Sequence, residues 1–472
     1  MDSEGAPSWS GRPAEHAGFD ETIMSSVPTL PPPHPFRAFQ NEFRQRLLHA
    51  TIWVLLRFSY LLWLPLRHFL ELYRRLTFHR QRVIVIAGSL GKTTTTRAIW
   101  TALEGGVPGG LHEVENSFTW VAWSMVRQLC GRGRAIVEVG IGVPGQMGQY
   151  ARALRPNVAV MTAIASDHLR KFRDPEHLWQ EKSIIVASLP ESGVAVLNAD
   201  DPAVMRMIPL IRSRIVTFGF HPQSDVSVRL EHLSSAGSDV TIMTPDGGLT
   251  MRCGLLGEHL VRVLAAAVAV GWIEGVPLDE IQKRLGGFQA TPGRMQPIPL
   301  PGRGLALCDD FKGGLETFHS ALGSFARLPA PRRIAVLGSI YDSPEPRALA
   351  YADLARRAAA CAGHLVLVGP DATLYAQELH CLPDAPPFDC VTTVDEAAKV
   401  LEGLLKPDDL LLIKGDGQQK LARIALHLAG VPVRCRILEC PLENILCQTC
   451  PCRDVETSDS RRAPPGATDG MA

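Results

Sequence analysis

An apolar run, a glycine loop and a polar helix start follow one another at residues 83–97, and this order constrains the fold more than any other feature. The run Val83–Ala87 predicts a buried strand, and Thr94 begins the predicted helix. Glycines let backbone N–H groups surround a phosphate at the positive end of a helix, where a lysine adds charge and a threonine hydroxyl reaches Mg²⁺. The residues of the loop are Gly88, Ser89, Leu90, Gly91, Lys92 and Thr93.

The longer form of this phosphate-binding pattern has one more glycine, at position 86, where the chain has Ile86. The shortened form predicts either nucleotide binding or a glycine turn that caps a helix. Motifs elsewhere in the chain are needed to decide between the two.

Short apolar runs alternate with amphipathic helical stretches along the chain, which is typical of a parallel sheet covered by helices on both faces. Between Val226 and Met251 the apolar residues recur at every second position, so a small antiparallel meander is predicted. We therefore predict an α/β protein: a P-loop-type parallel-sheet ATPase domain with this meander, then a smaller Rossmann-like α/β domain. The predicted parallel strands are Val83–Ala87, Ala135–Val139, Val158–Ile164, Val194–Leu197, Arg333–Leu337, His364–Val368 and Leu410–Ile413.

The chain of 472 residues is longer than one hydrophobic core usually organises. Changes in composition divide it into five parts. We predict a disordered leader at 1–40, a basic hydrophobic helical segment at 41–80, a central ATP-binding domain at 81–299, a second α/β domain at 300–434, and a Cys-rich segment with a disordered tail at 435–472.

The segment 41–80 combines hydrophobicity with positive charge. Nine Arg and two Glu occur at 37–82, around an apolar stretch at 47–66. This stretch is long enough to cross a bilayer, but Arg57 near its centre makes insertion costly. Aromatic residues interleaved with Arg are typical of a helix in the headgroup layer. We expect peripheral membrane association through residues 41–80; a membrane span and a helix packed on the protein itself are the alternatives.

Charge and cysteine content limit the class of protein. The chain has 48 Lys and Arg against 48 Asp and Glu, so it lacks the overall charge of a nucleic-acid-binding protein, and we predict no nucleic-acid partner. Its eleven cysteines form no disulfide framework, and no cleavable signal sequence opens the chain. We expect a cytoplasmic protein at the inner face of the membrane.

Two motifs follow the phosphate loop in order: Glu138-Val139-Gly140 with Pro144-Gly145, and Asp167-His168-Leu169. Together with Ala87-Gly88-Ser89 they resemble the Mur ligase family, and the resemblance covers residues 81–425. Its closest form is the branch that adds D-alanyl-D-alanine. The resemblance implies an enzyme that uses ATP and Mg²⁺ to form an amide bond.

The resemblance also implies roles for single residues. The loop would hold the ATP phosphates, and Lys182 would act as a carbamate, formed when its uncharged amine adds carbon dioxide and becomes an anion. Without the family, Lys182 would be an ordinary solvated helix residue, and His168 a hydrogen-bonding surface residue. The implied metal ligands are Thr93, Glu138, His168 and Lys182.

Three further positions are implied to contact the nucleotide. Arg294 matches an arginine that reaches the phosphates, and a hinge arginine suits charge compensation in a transition state. Asn198 opens a turn near the nucleotide, although a simple Asx turn after a strand explains it equally well. Asp310, in an acidic pair with Asp309, would contact the ribose. A lysine at 414 would approach the substrate, or be a solvated loop lysine. The implied catalytic residues are Lys92, Lys182 and Arg294.

The chain departs from the family at three places. Leu260 and Val263 replace asparagines on the adenine side, and Phe311–Leu315 replaces the usual acceptor-side motif. Residues 1–80 do not resemble the N-terminal domain that binds a uridine nucleotide, which we therefore expect to be lacking. The substrate is expected to differ accordingly.

Five cysteines near the end are spaced C-x4-C-x6-C-x2-C-x-C, and four thiolates can hold Zn²⁺. The zinc ligands would be Cys435, Cys440, Cys447 and Cys450. Free or redox-active thiols are the alternative.

The motifs together predict an ATP-dependent ligase that joins a carboxylate to an amino-acid-type amine through an acyl phosphate, in the synthesis of cell-wall peptide or a related precursor. Its partners would be ATP and small acid and amine substrates. The alternatives are a folylpolyglutamate-type ligase or one with a lipid-linked substrate. A further alternative is a membrane-associated nucleotide-binding subunit, or an inactive Mur homologue that acts through a partner protein.

Overall fold

The computed structural model describes residues 65–77, 81–105, 121–122, 124–125, 133–165, 172–341, 343, 345–440, 442, 445–450 and 453. These residues form two β-sheets, one of eight strands and one of six. The predicted disordered leader at 1–40 and the tail after residue 453 lie outside the described residues, and so does most of the basic segment.

The eight strands of the first sheet are β1 (Arg82–Ala87), β2 (Arg134–Glu138), β3 (Val158–Met161), β4 (Val194–Asn198), β5 (Arg214–Gly219), β6 (Val226–Ser234), β7 (Gly237–Thr244) and β8 (Gly247–Cys253). Their order is β2-β1-β3-β4-β5-β6-β7-β8. Strands β1 to β5 are parallel, whereas β6, β7 and β8 form the antiparallel meander. The strand predicted at Val158–Ile164 is shorter and ends at Met161.

Helices cover both faces of this sheet, which explains the continuous apolar run of β1. On one face, Ile84 and Ile86 join the core beneath the helices Lys92–Glu104 and Glu258–Ile273. On the other face, Val83 and Val85 join the core beneath the helices Gln146–Leu154 and Pro175–Ala187. A strand buried on both faces reads as an uninterrupted apolar run. The helices of this part are α1 (65–77), α2 (Lys92–Glu104), α3 (Gln146–Leu154), α4 (Pro175–Ala187), α5 (Pro202–Met205), α6 (Glu258–Ile273) and α7 (Leu278–Leu285).

The second sheet contains β9 (Gln296–Leu300), β10 (Gly304–Asp309), β11 (Arg333–Leu337), β12 (His364–Val368), β13 (Phe388–Val391) and β14 (Leu410–Lys414). Its order is β13-β12-β11-β14-β10-β9, and every pair is parallel except β9 with β10. Its helices are α8 (Leu315–Arg327), α9 (Arg347–Ala359), α10 (Ala372–Leu379), α11 (Val394–Leu404) and α12 (Ala422–Leu428).

The predicted fold class is confirmed: a parallel sheet with an antiparallel meander is followed by a smaller α/β sheet. The second sheet begins with β9 at Gln296, a few residues before the division predicted after residue 299. This strand carries Pro297 and Pro299 and lies at the edge of the sheet, where prolines are tolerated because no donor is needed. The five-part division of the chain stays a prediction.

Helix α1, the described part of the basic segment, is joined to the first sheet by a buried arginine. Arg74 donates to Leu154 O (2.8 Å) and Arg155 O (2.8 Å), which end α3, and to Asn157 Oδ1 (3.2 Å). The Asn157 side chain also accepts from Val83 N (2.9 Å) at the start of β1. Burial, and then nearby Arg155, lower the pKa of Arg74 to about 10. None of the described helices has the length and hydropathy needed to cross a membrane.

Replacing Arg74 with methionine is expected to lower the free energy of unfolding by about 2–4 kcal/mol, because buried acceptors lose a charged donor. Arg75, its exposed neighbour on α1, provides the matched control. The Arg75→Met variant should stay within about 0.5 kcal/mol of the parent. Urea unfolding followed by tryptophan fluorescence measures both, and equal midpoints would contradict the docking role of Arg74.

Candidate active site

The phosphate loop connects β1 to α2 and has a left-handed backbone at two glycines. Gly88 has a φ of +142° and Gly91 a φ of +80°. A Cβ atom at Gly88 would lie 2.1 Å from Thr162 Oγ1, so any side chain would displace the adjoining strand end. No side chain caps α2 after Gly91, and its first turn has no acidic residue. The N–H groups of this turn therefore suit a phosphate.

Side chains hold the loop in shape from two sides. Lys92 and Thr93 are buried in the first turn of α2, and Lys92 Nζ donates to Ser89 O (3.2 Å). Thr162 Oγ1 donates to Leu90 O (2.6 Å). Sequence reasoning missed Thr162; its signal is its position directly after β3, at the edge where the carboxyl ends of parallel strands collect functional residues.

Lys182 reaches the loop from α4. It is buried, and its Nζ donates to Ser89 Oγ over 2.6 Å. Ser89 Oγ in turn donates to Ala165 O (3.0 Å) and accepts from Ala165 N (2.9 Å). The backbone of Ala165 therefore fixes the position of the Ser89 hydroxyl that Lys182 contacts. The preceding residue, Glu181, accepts from Met147 N (2.9 Å) and ties α4 to the start of α3. The structure thus brings Lys182 and the loop together.

Glu138 is the last residue of β2 and is paired in register with Ile86 of β1. It is partly buried, at the edge of the sheet from which the phosphate loop departs. His168 lies outside the described residues, so the metal set predicted from the sequence is placed only in part. Ile86, which occupies the position of the missing glycine, is a fully buried strand residue. The loop therefore begins only at Gly88.

Asn198 and the turn after it are bonded within the protein. Asn198 is fully buried, donates to Thr162 O (2.6 Å) and accepts from Asp200 N (3.1 Å). Asp201 caps α5 and also accepts from Ile164 N (2.7 Å). The turn thereby joins the ends of β3 and β4. A nucleotide contact by Asn198 stays a prediction.

Arg294 points at the phosphate loop from the hinge loop, which is the stretch 286–295 that joins α7 to β9. Its Nη2 lies 3.5 Å from Thr93 Oγ1, and its guanidinium lies 4.9 Å from the ring centre of Phe311. Beside it, Thr291 Oγ1 donates to Thr94 Oγ1 (3.0 Å). An arginine from the second half of the chain thus meets the first turn of α2. Phe311, one of the departures from the family pattern, orients that arginine.

The carboxyl ends of β10 and β14 carry a buried ion pair. Lys414 is fully buried, and its Nζ lies 3.1 Å from Asp309 Oδ2. Asp309 Oδ1 accepts from Met295 N (3.0 Å), directly after Arg294. Burial lowers the pKa of Lys414, against the raising effect of Asp309. This lysine is therefore no solvated loop residue: it secures the hinge loop.

Asp310 is also buried and accepts from Ala422 N (2.7 Å) at the start of α12. Burial raises the pKa of this carboxyl, with the Ala422 bond opposing the shift. A ribose contact at Asp310 stays a prediction. Leu260 and Val263, which replace the asparagines of the family pattern, are buried in the apolar core.

His259 joins the two halves of the chain and was not predicted. Its Nδ1 is 2.9 Å from Ser324 Oγ on α8, and the adjoining Glu258 forms an ion pair with Arg327 on the same helix. Burial, only partly offset by Asp309, lowers the pKa of His259 to about 4. Protonation of this imidazole therefore opposes the folded contact.

Stability is expected to fall as the pH drops from 6.5, the ordinary pKa of the His259 side chain, toward 4. As the pH falls, the histidine of the unfolded chain is protonated before that of the folded chain. The contribution of neutral His259 to the free energy of unfolding is therefore complete above pH 6.5 and is lost between pH 6.5 and 4, at a cost on the order of 2 kcal/mol. His259→Gln retains a partner for Ser324 and should flatten this part of the profile. Thermal midpoints measured across this pH range test the prediction, and His232→Gln, at an exposed histidine, is the control. Parallel profiles of midpoint against pH for the parent and for His259→Gln would refute the role of His259.

The Cys-rich segment packs on the second sheet, and the predicted zinc site is not supported. The described residues include four of the five cysteines, all as free thiols, and contain no group of three or more His, Cys, Asp or Glu arranged to hold a metal. Burial raises the pKa of Cys447 to about 12. Arg423 instead holds the segment, by donating to Cys435 O and Ile437 O (both 2.8 Å).

The same segment reaches the hinge loop. Gln448 Nε2 donates to Gln296 Oε1 (3.1 Å), and this oxygen also accepts from Gly293 N (3.0 Å), directly before Arg294. Lys420 Nζ donates to Ile445 O (2.9 Å). The C-terminal segment therefore contacts the loop that positions Arg294.

Two family models match these regions. The Mur ligase middle domain matches residues 86–271, and the Mur ligase glutamate ligase domain matches residues 293–417. The chain belongs to the Mur ligase family. The resemblance inferred from the motifs is confirmed, and the first match contains both the phosphate loop and Lys182, while the second contains Arg294.

Curated Mur ligases show the extent of the similarity. The UDP-N-acetylmuramoyl-tripeptide–D-alanyl-D-alanine ligase of Escherichia coli is 28% identical over 266 residues, which are 55% of this chain and 58% of that protein. The UDP-N-acetylmuramate–L-alanine ligase of Halorhodospira halophila is 28% identical over 360 residues, 71% of this chain and 70% of that protein. The predicted enzyme class, a ligase, is that of these relatives.

Solved structures agree on the fold. MurF from Acinetobacter baumannii superposes with a TM-score of 0.68 at 24% identity, over 78% of this chain and 80% of that one. MurF from Thermotoga maritima in complex with ADP gives a TM-score of 0.65 at 20% identity, over 77% of this chain and 83% of that one. At this identity the likeness shows the fold of the Mur ligase and not its substrate.

Proposed function

We propose that this Mur ligase joins a carboxylate substrate to an amino-acid-type amine at the expense of ATP, through an acyl phosphate. The observation that carries the proposal is that two side chains from distant parts of the chain meet at the phosphate loop. Lys182 contacts Ser89 from α4, and Arg294 contacts Thr93 from the hinge. A loop that only bound a nucleotide would need neither a buried lysine nor an arginine from the other half of the chain.

In the proposed reaction the γ-phosphoryl group passes from ATP to the substrate carboxylate, and ADP is released. The amine then attacks the acyl carbon, loses a proton, and displaces inorganic phosphate. The loop from Gly88 to Thr94 holds the phosphates, Lys92 adds a positive charge, and Arg294 offsets the charge that builds up during transfer. Phosphoryl transfer depends chiefly on such positioning and electrostatics.

Magnesium would be held by oxygen and nitrogen ligands at the edge of the first sheet, where it would neutralise phosphate charge. Thr93 and Glu138 lie at that edge, and His168 completes the set proposed from sequence. Lys182 enters this set as a carbamate, after its neutral amine adds carbon dioxide and releases a proton. The Lys182 side chain is buried at the phosphate loop, within hydrogen-bond distance of Ser89 Oγ. Asn198 and Asp310 are proposed to contact the rest of the nucleotide.

The substrate class proposed is a cell-wall peptide precursor or a related acid, because the curated relatives are named for muramoyl substrates. The motifs favour the branch that adds D-alanyl-D-alanine. A folylpolyglutamate-type or lipid-linked acid is the second candidate, favoured by the rebuilt stretch Phe311–Leu315 and by the basic apolar segment at 41–80. A nucleotide-binding subunit without ligase activity is the third, favoured by the apolar Leu260 and Val263.

Measuring ADP formation with ATP, Mg²⁺ and a panel of acids and amines tests the proposal. We expect ADP to form only when both an acid and an amine are present, in equal amounts with a new amide found by mass spectrometry. With the acid but no amino-acid-type amine, ADP should form when hydroxylamine is added, because hydroxylamine replaces the amine and converts the acyl phosphate to a hydroxamate and inorganic phosphate. ATP binding without amine-dependent turnover across the panel would instead favour the binding subunit.

A further inference from the structure

Helix α1 carries its apolar side chains on the outside. Phe69, Leu72 and Leu76 are 54%, 59% and 76% exposed, and their spacing places them on one face. The opposite face is buried and includes Leu70 and the charged Arg74. Large apolar residues on the surface of a soluble protein are usually scattered singly, whereas a contiguous stripe of them indicates an interaction site.

This stripe cannot turn inward, because the other face of α1 is fixed. Arg74 forms three bonds of 2.8–3.2 Å to the end of α3 and to Asn157. Tyr73 also accepts from Gln81 Nε2 (3.0 Å) just before β1. Rotating α1 by half a turn would bury the stripe only by exposing Leu70 and breaking every bond of the arginine. The outward face is therefore a fixed property of the fold.

The charge around the stripe indicates what covers it. Arg75 is exposed beside Leu76 and His68 is exposed beside Phe69. Glu71, the single acid on the helix, is paired with Arg67 over 3.4 Å. Over residues 37–82 the sequence has nine Arg and two Glu. Basic residues around an apolar helix face attract anionic lipid headgroups. The sequence leading into α1, residues 47–66, is itself apolar and rich in aromatic residues.

We propose that α1 binds an anionic lipid bilayer along its surface, with Phe69, Leu72 and Leu76 in the headgroup layer and Arg75 at the phosphates. Lipid binding by this surface is a property separate from the proposed ligase reaction and does not depend on it. It gives the chain a fixed orientation on a membrane, because the arginine that anchors α1 also anchors the start of β1.

The orientation leaves the proposed active site accessible. Helix α1 contacts the beginning of β1 at Val83, through Asn157, whereas the phosphate loop leaves the other end of that strand at Gly88. A strand of six residues spans roughly 20 Å. A membrane under α1 would thus lie at the opposite edge of the sheet from the nucleotide.

Co-sedimentation of the full chain with vesicles tests this proposal. The probes are vesicles of phosphatidylcholine with an equal part of phosphatidylglycerol, and vesicles of phosphatidylcholine alone. The variant Phe69→Gln/Leu72→Gln/Leu76→Gln removes the stripe at exposed positions. The variant Ile208→Gln/Leu210→Gln, at exposed apolar residues of the first domain, is the matched control. Circular dichroism and thermal midpoints check that both variants are folded.

The proposal predicts tight binding of the parent to anionic vesicles, weakened by salt, and a loss of about tenfold or more for the stripe variant but not for the control. Unchanged binding of the stripe variant would overturn it, because the contact would then lie elsewhere in the chain. Equal binding to both vesicle types would also overturn it. So would a parent that forms dimers and ignores vesicles while the stripe variant is monomeric, since the occupant would then be a second copy.

Discussion

Lys92→Ala is expected to lower the rate of ATP-dependent amide formation by about 10³-fold, equivalent to about 4 kcal/mol of transition-state stabilisation. The side chain is buried in the first turn of α2, and its Nζ donates to Ser89 O within the phosphate loop over 3.2 Å. Its positive charge therefore lies at the loop that is proposed to hold the ATP phosphates. Steady-state ADP release, measured with saturating acid and amine, reports the loss.

The fold should be little changed, because alanine has a high helix propensity and the substitution leaves the backbone of the loop unaltered. The thermal midpoint of Lys92→Ala is expected to stay within a few degrees of the parent, corresponding to about 1 kcal/mol. Lys283→Ala removes an exposed lysine from α7 and serves as the control. Full amide formation by a folded Lys92→Ala protein would refute the role of the loop in phosphoryl transfer.

Lys182→Gln should have the second-largest effect, a loss of about 10²-fold or more in the same assay. Glutamine can keep a hydrogen bond to Ser89 but cannot form a carbamate. The parent enzyme should also lose activity in buffer freed of carbon dioxide and regain it when bicarbonate is added. The variant should respond to neither treatment, which distinguishes a missing carbamate from a local change in packing.

Carbon-13 spectra of the parent with labelled bicarbonate should show a carbamate signal that is absent from Lys182→Gln. Lys399→Gln, at an exposed position on α11, controls for the change of charge and should retain both the signal and the activity. An active parent with no response to bicarbonate and no carbamate signal would exclude the carbamate while leaving the phosphate loop unaffected.

Local features of the sequence were sufficient to predict the phosphate loop and the positions of most strands. The apolar run before Gly88 is buried on both faces of a parallel sheet, and the glycines take left-handed backbone conformations. Such properties depend on the residues themselves and on their immediate neighbours. The sequence could not show that β3 ends at Met161, because the following Thr162 is bonded to a loop some seventy residues earlier.

The residues of the candidate site could be predicted from the sequence more completely than the contacts around them. The positions of Lys182 and Arg294 at the loop agree with the roles implied by the resemblance. The zinc site was not supported, since cysteine spacing says nothing about the directions of the thiols. The bond between His259 and Ser324 was missed as well, because neither residue shows a local pattern that points to the other.

The sequence by itself determined where most strands lie along the chain and where the phosphate loop lies between a strand and a helix, because periodicity and glycine conformation are local properties. The tertiary structure alone decided which distant residues meet: Lys182 is 93 positions from Ser89, and Arg294 is 201 positions from Thr93. It also decided which face of α1 is buried. Leu70 and Arg74 lie inside, whereas Leu72 and Leu76 lie outside, because the end of α3 supplies carbonyls that the buried Arg74 satisfies.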